Sequence, residues 1–169
     1  LHDSATHGPR AENGDGRIGY QWQFSINRPV IGCAPTWTEA GAGLPALTDA
    51  ALAWGDVDRD GDLDLAVAGA LSGTPVTRLY LNNNGAFQQS GLASFTGVSK
   101  GAMAWGDYDH DGRLDQLVNG SLKNIGKPAA FVYRNTGDGT FANINAGLRG
   151  VMNGSAAWVD FDNDGNLDA

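Results

Sequence analysis

The feature that most constrains this chain is an aspartate-rich segment of 11 residues that occurs three times. Each copy follows the pattern W-x-D-x-D-x-D-G-x-L-D, and the copies are residues 54–64, 105–115 and 158–168. Their tryptophans are 51 and 53 residues apart, a spacing typical of proteins in which one supersecondary unit is repeated and packs on its neighbours. The sequence therefore predicts three repeat units.

Each unit is predicted to be built from strands. In the first unit the short apolar or alternating runs are Ala51–Trp54, Leu65–Ala70, Thr77–Asn82 and a last segment around Phe87, with turn residues between them. Glycine is abundant, at 25 of 169 residues, and no long apolar stretch with helical spacing is present. A period near 50 residues with about four strands is typical of a β-propeller blade, so we expect an all-β, propeller-like fold.

The phase of the repeat divides the chain into four segments. Residues 1–36 are predicted to form an irregular N-terminal insertion with a strand at Tyr20–Ser25, followed by repeat unit 1 (37–86), repeat unit 2 (87–140) and repeat unit 3 (141–169). The third unit is truncated after its aspartate loop, and closed propellers usually have about four to eight blades. We therefore expect propeller-like repeats that are incomplete or are completed by another chain.

Each repeated loop has aspartate at positions 1, 3, 5 and 9 of the pattern D-x-D-x-D-G-x-x-D. Ca²⁺ takes about six to eight oxygen ligands, and short carboxylates at alternating positions can surround one ion. The glycine at position 6 allows the sharp bend, often with positive φ, that such a loop needs, and position 7 is expected to supply a backbone carbonyl. Without a cation, four close carboxylates would repel one another. We therefore expect about three Ca²⁺ per chain.

The predicted ligands share these odd positions of the three loops. They are Asp56, Asp58, Asp60, Asp62 and Asp64 in the first loop, Asp107, Asp109, Asp111, Arg113 and Asp115 in the second, and Asp160, Asp162, Asp164, Asn166 and Asp168 in the third.

Other metal sites fit the sequence less well. Mg²⁺ usually keeps several waters, whereas these loops offer many protein oxygens. Zinc is disfavoured because His2, His7 and His110 have no partners at ligand spacing. An EF-hand would require a glutamate at position 12 and flanking helices, but Val67 and Val118 occupy that position and lead into predicted strands.

Two short motifs associated with catalysis or nucleotides lack their required context. Residues 14–19 match G-x-G-x-x-G, but no strand precedes them and no helix follows. Residues 97–101 match the nucleophile-elbow pattern around Ser99, but no strand-to-helix turn is indicated. Because no acid, base and nucleophile set stands apart from the aspartate loops, we expect no catalytic residues and no enzyme activity.

The tryptophans fall into two groups. Trp54, Trp105 and Trp158 recur at one position of the repeat, which favours packing in the core over a sugar-binding platform. Trp22 and Trp37 lie outside that register and are the candidates for a binding surface.

Charge and cysteine content limit the possible partners. The net charge of −8 argues against nucleic acid and anionic membranes, because both select clustered Lys and Arg. No stretch approaches the ~20 apolar residues that a membrane span needs. The single cysteine, Cys33, excludes a disulfide within the chain and a cysteine-built zinc site. Cations are the partners that this composition favours.

The repeated motif Trp-Gly-Asp-x-Asp-x-Asp-Gly-x-Leu-Asp resembles the FG-GAP or VCBS repeat family, found in integrin α-subunit propellers and in bacterial surface and secreted proteins. The resemblance covers residues from about 37 to 169, with Val159 replacing the glycine after tryptophan in the third unit. It implies a propeller, calcium in each loop, an extracellular location (secreted or cell surface), and a role in adhesion or in binding a glycan or a surface protein. Two alternatives stay open: a structural subunit of an extracellular fibre that self-associates head to tail, and a non-catalytic part of a polysaccharide-active enzyme.

Overall fold

The computed structural model describes residues 41–122 and 126–169 of the chain. The predicted strand at Tyr20–Ser25, the tryptophans Trp22 and Trp37, and Cys33 lie outside these residues. The described residues form eight strands in two antiparallel sheets and contain no helix. Accordingly, none of them belongs to a helix long and apolar enough to cross a membrane.

The first sheet contains the strands of the first repeat in sequence order. They are β1 (Thr48–Gly55), β2 (Asp64–Leu71), β3 (Thr74–Asn83) and β4 (Ala86–Gln89), and each pairs with the next. The central strand β2 is apolar and buried along nearly its whole length, as expected for a strand covered on both faces. The four strands predicted for this unit are confirmed.

Two-residue turns join β2 to β3 and β3 to β4. The first turn is Ser72-Gly73, with φ of 49° and 80°, and the second is Asn84-Gly85, with φ of 50° and 90°. Positive φ at both central residues gives the turn type whose twist matches that of the flanking strands. These turn sequences therefore fix the register of the hairpins that position the first aspartate loop.

The second sheet repeats this arrangement. Its strands are β5 (Val98–Gly106), β6 (Asp115–Leu122), β7 (Pro128–Asn135) and β8 (Phe141–Asn143), again in sequence order. In the third unit the structure shows an isolated bridge between Val159 and Asp168, at the same two positions of the repeat that begin the β1–β2 and β5–β6 pairings. The all-β prediction with about four strands per unit is confirmed in both sheets.

The two sheets pack on each other through one hydrophobic core. Ala66, Ala68 and Leu79 contribute to it from the first sheet, and Val118 and Tyr133 contribute from the second. All five are almost completely buried, and burial of apolar surface stabilises a fold by about 25 cal/mol per Å². The two units therefore stabilise each other across this interface.

A tryptophan from each later unit packs on a glycine of the unit before it. A Cβ atom placed on Gly55 would lie 2.8 Å from Cδ1 of Trp105, and one placed on Gly106 would lie 2.5 Å from Cδ1 of Trp158. The Trp105 indole N–H also donates to the carbonyl of Ala53 at 3.2 Å. The packing role predicted for Trp105 and Trp158 is confirmed, and it explains why glycine follows tryptophan in the first two units. For Trp54 the core prediction is wrong, because this side chain is 50% exposed.

We predict that Gly106→Ala lowers the free energy of unfolding by about 1–3 kcal/mol, because the added methyl overpacks the contact with Trp158. Gly91→Ala is the matched control, since a Cβ at Gly91 meets nothing within 4 Å. Its stability should stay within about 0.5 kcal/mol of the parent. Urea unfolding of the two variants measures the difference, and equal stabilities would contradict the proposed contact.

Candidate metal centre

The aspartate loops lie between the first and second strands of each sheet, where they bring carboxylates together. In each loop, one carboxylate oxygen from each of positions 1, 3 and 9 lies within 4.8 Å of the other two. The three sets are Asp56, Asp58 and Asp64; Asp107, Asp109 and Asp115; and Asp160, Asp162 and Asp168. Nine of the predicted ligands thus form three equivalent clusters.

The aspartate at position 9 joins its loop to the sheet. Asp64 is completely buried, and its two carboxylate oxygens accept hydrogen bonds from the backbone N–H groups of Val57 and Asn82, each at 2.9 Å. Asp115 accepts the equivalent two bonds at 3.2 and 2.8 Å, and Asp168 accepts the first of them at 3.2 Å. Position 9 therefore supports the fold as well as the cluster.

This burial sets the electrostatic state of the clusters. Burial raises the pKa of Asp64 and of Asp115 above the ordinary aspartate value, although the two backbone hydrogen bonds to each carboxylate partly offset the rise. The carboxylates at positions 3 and 5 of the same loops raise both pKa values further. The negative charge is therefore unfavourable here unless a cation compensates for it.

The aspartate at position 1 closes the loop. Asp56 accepts hydrogen bonds from the backbone N–H groups of Asp60 and Gly61, both at 3.1 Å. Asp107 and Asp160 make the same pair of bonds in the second and third loops. The three loops therefore share these backbone hydrogen bonds, so the repeated sequence motif corresponds to a repeated loop conformation.

Two backbone positions in each loop are left-handed. The glycines at position 6 have φ between 81° and 97°, as predicted. Position 4 is also left-handed, with φ of 64° at Arg59, 59° at His110 and 58° at Asn163, and the sequence interpretation missed this. Asparagine and histidine are among the non-glycine residues enriched at positive φ. Asn163 and His110 at position 4 were therefore the sequence evidence for this conformation.

The side chains at positions 5 and 7 make other contacts. Oδ1 of each position-5 aspartate accepts a backbone N–H from position 7, which forms a local turn. At position 7, the Asp62 carboxylate accepts the N–H of Asn84, and the Asn166 amide donates to the carboxylate at position 5. A ligand role for Asp60, Asp111, Asp164, Asp62, Arg113 and Asn166 stays a prediction.

The second loop has ion pairs that the sequence interpretation did not foresee. Arg134 Nε lies 2.6 Å from Asp109 Oδ2, and Arg134 Nη2 lies 3.2 Å from Asp111 Oδ2. Arg113 forms a further ion pair with Asp111. Burial by itself raises the pKa of Asp111, but the Arg113 N–H and the Arg134 side chain reverse the effect and hold that pKa below the usual value.

The donor chemistry of the clusters fits a hard divalent cation. All grouped donors are carboxylate oxygens, which suit Ca²⁺ or Mg²⁺ rather than zinc. In the second cluster, Asp109 Oδ1 is buried and has no hydrogen-bond partner, which is the environment that a bound cation would relieve. His110 is exposed and lies outside the cluster. The acidic clusters could therefore hold metal ions.

Ser99, which matched the nucleophile-elbow pattern, lies within a strand. Ser99 is 7% exposed and belongs to β5, where it pairs with Ser121 of β6. The element after β5 is another strand, so Ser99 does not occupy a strand-to-helix turn.

Comparison with known families supports the repeat. The family model of the FG-GAP-like repeat matches residues 56–118, which run from the first carboxylate of the first loop through the second loop into β6. The predicted resemblance is confirmed for this segment, which is a repeat module of β-propeller type. A search among curated proteins and a search among solved structures each found no match.

We predict that Asp64→Ala destabilises the protein even in excess chelator, by about 1–3 kcal/mol, because two backbone N–H groups lose their acceptor. Asp58→Ala is the matched control: Asp58 belongs to the same cluster but is exposed, so its loss should cost less than about 0.5 kcal/mol without metal. Chemical unfolding in chelator tests this. Equal losses would mean that position 9 has no role in the fold beyond the cluster.

We also predict unequal losses of stability at the two left-handed positions of the second loop. Gly112→Val places a β-branched residue at φ of 81° and should cost about 2 kcal/mol of stability. His110→Gly removes a side chain from φ of 59° and should lower stability by less than about 0.5 kcal/mol. Thermal and urea unfolding of both variants provide the measurement. A similar loss in both would contradict the loop conformation.

Proposed function

On the premise that residues 56–118 form an FG-GAP-like repeat, we propose that the chain is a calcium-binding module whose three aspartate loops each take one Ca²⁺. The observation that supports this most directly is the threefold recurrence of one carboxylate cluster on one loop backbone. A single Asp/Gly run can be a solvated turn, but three equivalent clusters favour a shared ligand.

The aspartates at positions 1, 3 and 9 would hold the ion. A bound Ca²⁺ supplies positive charge to carboxylates that otherwise repel one another. Position 1 keeps the loop closed through its two backbone N–H bonds, and position 9 fastens the same loop to β3 or β7. Binding would therefore stabilise the sheet as well as the loop, because an ion that binds only the folded state shifts the folding equilibrium.

We propose an extracellular setting for this module. Calcium sites in extracellular modules have dissociation constants of about 10⁻⁴ to 10⁻³ M, so exposed loops with simple carboxylate ligands are sufficient there. The resemblance to FG-GAP repeats supports the same setting. In this proposal the module is not an enzyme, and it serves adhesion or binds a glycan or a surface protein, either alone or beside a polysaccharide-active domain.

Self-association into an extracellular fibre is the second candidate. It is favoured by two large apolar side chains on β1, Leu52 and Trp54, which are 60% and 50% exposed. Exposed apolar surface of this kind promotes protein contacts. Light scattering over a range of concentrations tests this candidate, and a concentration-independent monomer with calcium would contradict it. A glycan array probed with and without chelator tests the binding role.

We predict that calorimetric titration of the chelator-treated protein with CaCl₂ gives about three bound ions per chain and that calcium raises the melting temperature. Asp58→Asn keeps the shape of its side chain but removes one carboxylate charge, so it should remove or weaken one site and leave the other two. MgCl₂ at the same concentration should stabilise less. No heat of binding and an unchanged melting temperature would contradict the calcium proposal.

A further inference from the structure

The three loops share one backbone but differ in the charges that surround them. Within residues 41–122 and 126–169, all the ion pairs of the structure involve the second loop. Its aspartates at positions 3 and 5 contact Arg134, and the aspartate at position 5 also contacts Arg113. In the first and third loops the equivalent aspartates contact backbone or amide groups only.

Both arginines are held in place by the second sheet. Arg134 belongs to β7 and bridges Asp109 and Asp111 with two of its nitrogens. Arg113 donates from Nε to the carbonyl of Asn135 at 3.0 Å while its Nη2 contacts Asp111. A third guanidinium is near, since Arg59 of the first loop lies 3.8 Å from the position that a Cβ on Gly112 would occupy.

The first unit shows what the same positions carry without these arginines. Leu81 stands where the second unit has Arg134, and Asp62 stands where it has Arg113. The first loop therefore has five aspartates, offset by Arg59 alone. The second has four aspartates offset by two arginines, which leaves it a formal charge of −2.

We propose that Arg134 and Arg113 make the second loop a weaker calcium site than the first, so that its midpoint lies at a higher calcium concentration. This inference rests on the proposed calcium function. In the second cluster, Oδ2 of Asp109 is already paired with Nε of Arg134 at 2.6 Å, so a cation would have to compete for this oxygen. The positive charges of Arg134 and Arg113 would also repel the cation. Charges a few ångströms apart in a partly buried site interact strongly. The expected difference in affinity is about tenfold, which corresponds to ~1.4 kcal/mol.

The same ion pairs give the second loop a state that the first loop lacks. Asp109 and Asp111 are paired with arginine there, whereas Asp58 and Asp60 at the same positions of the first loop accept backbone N–H groups only. At calcium concentrations between the two midpoints, most molecules have calcium in the first loop, while in most of them the second loop still has its arginine pairs.

Site-resolved NMR titration tests the proposal. The amides of Gly61 and Gly112 donate to the position-1 carboxylates of their loops, so their ¹H–¹⁵N resonances report calcium in the first and second loops separately. The full chain is titrated with CaCl₂ as the parent protein and as Arg134→Leu and Arg113→Asn, which introduce the residues that other units carry at these positions. Arg149→Leu is the charge-matched control, since Arg149 is exposed and forms no ion pair with a described carboxylate.

In the parent protein, the midpoint for Gly112 should lie about tenfold above that for Gly61, and Arg134→Leu should lower the Gly112 midpoint by about tenfold. Arg113→Asn should lower it less, and Arg149→Leu should leave the ratio of the two midpoints unchanged. If both glycines respond at equal calcium, or if Arg134→Leu leaves the ratio unchanged, the inference is wrong although the calcium function stands. If neither glycine responds to calcium, both the inference and the proposed function are wrong.

Discussion

The structure depends on the carboxylate at position 9 of the aspartate loops, which is completely buried in the first two loops as Asp64 and Asp115. In the first unit Asp64 accepts one hydrogen bond from its own loop and one from β3, so a single side chain fixes the loop against the sheet. A buried carboxylate is costly unless hydrogen bonds and positive charge compensate for it. The negative charge of this buried carboxylate therefore costs stability, and a cation at the cluster would reduce that cost. In this way the stability of the repeat is linked to the proposed ligand.

Sequence reasoning predicted the elements because their signals are local. The strands follow from apolar runs such as Leu65–Ala70, and the clusters follow from aspartates spaced two residues apart. The second acceptor role of Asp64 was not predictable in this way, because Asn82 lies 18 residues along the chain. Arg134 was missed for the same reason: it approaches the second loop only when β7 pairs with β6.

The contacts between units also required the structure. The motif shows that glycine follows tryptophan at Gly55 and Gly106, but the reason is the indole ring of the next unit, about 50 residues away. Neither glycine needs a left-handed backbone, so the usual explanation for a recurring glycine does not apply. Contact between neighbouring repeats is the constraint, as in other repeat proteins whose stability is a sum of units and interfaces.

Val159 occupies the same position in the third unit, and this changes what can pack there. In the first two units, a Cβ at this position would lie 2.8 Å and 2.5 Å from the incoming tryptophan, too close for either to stay in place. Val159 has that Cβ and two methyl groups more, and it is 54% exposed. A partner that stacks on the third unit, whether from this chain or another, must therefore present a smaller side chain or a shifted one. The three loops group aspartates from the same three positions, but the surfaces beside the loops differ.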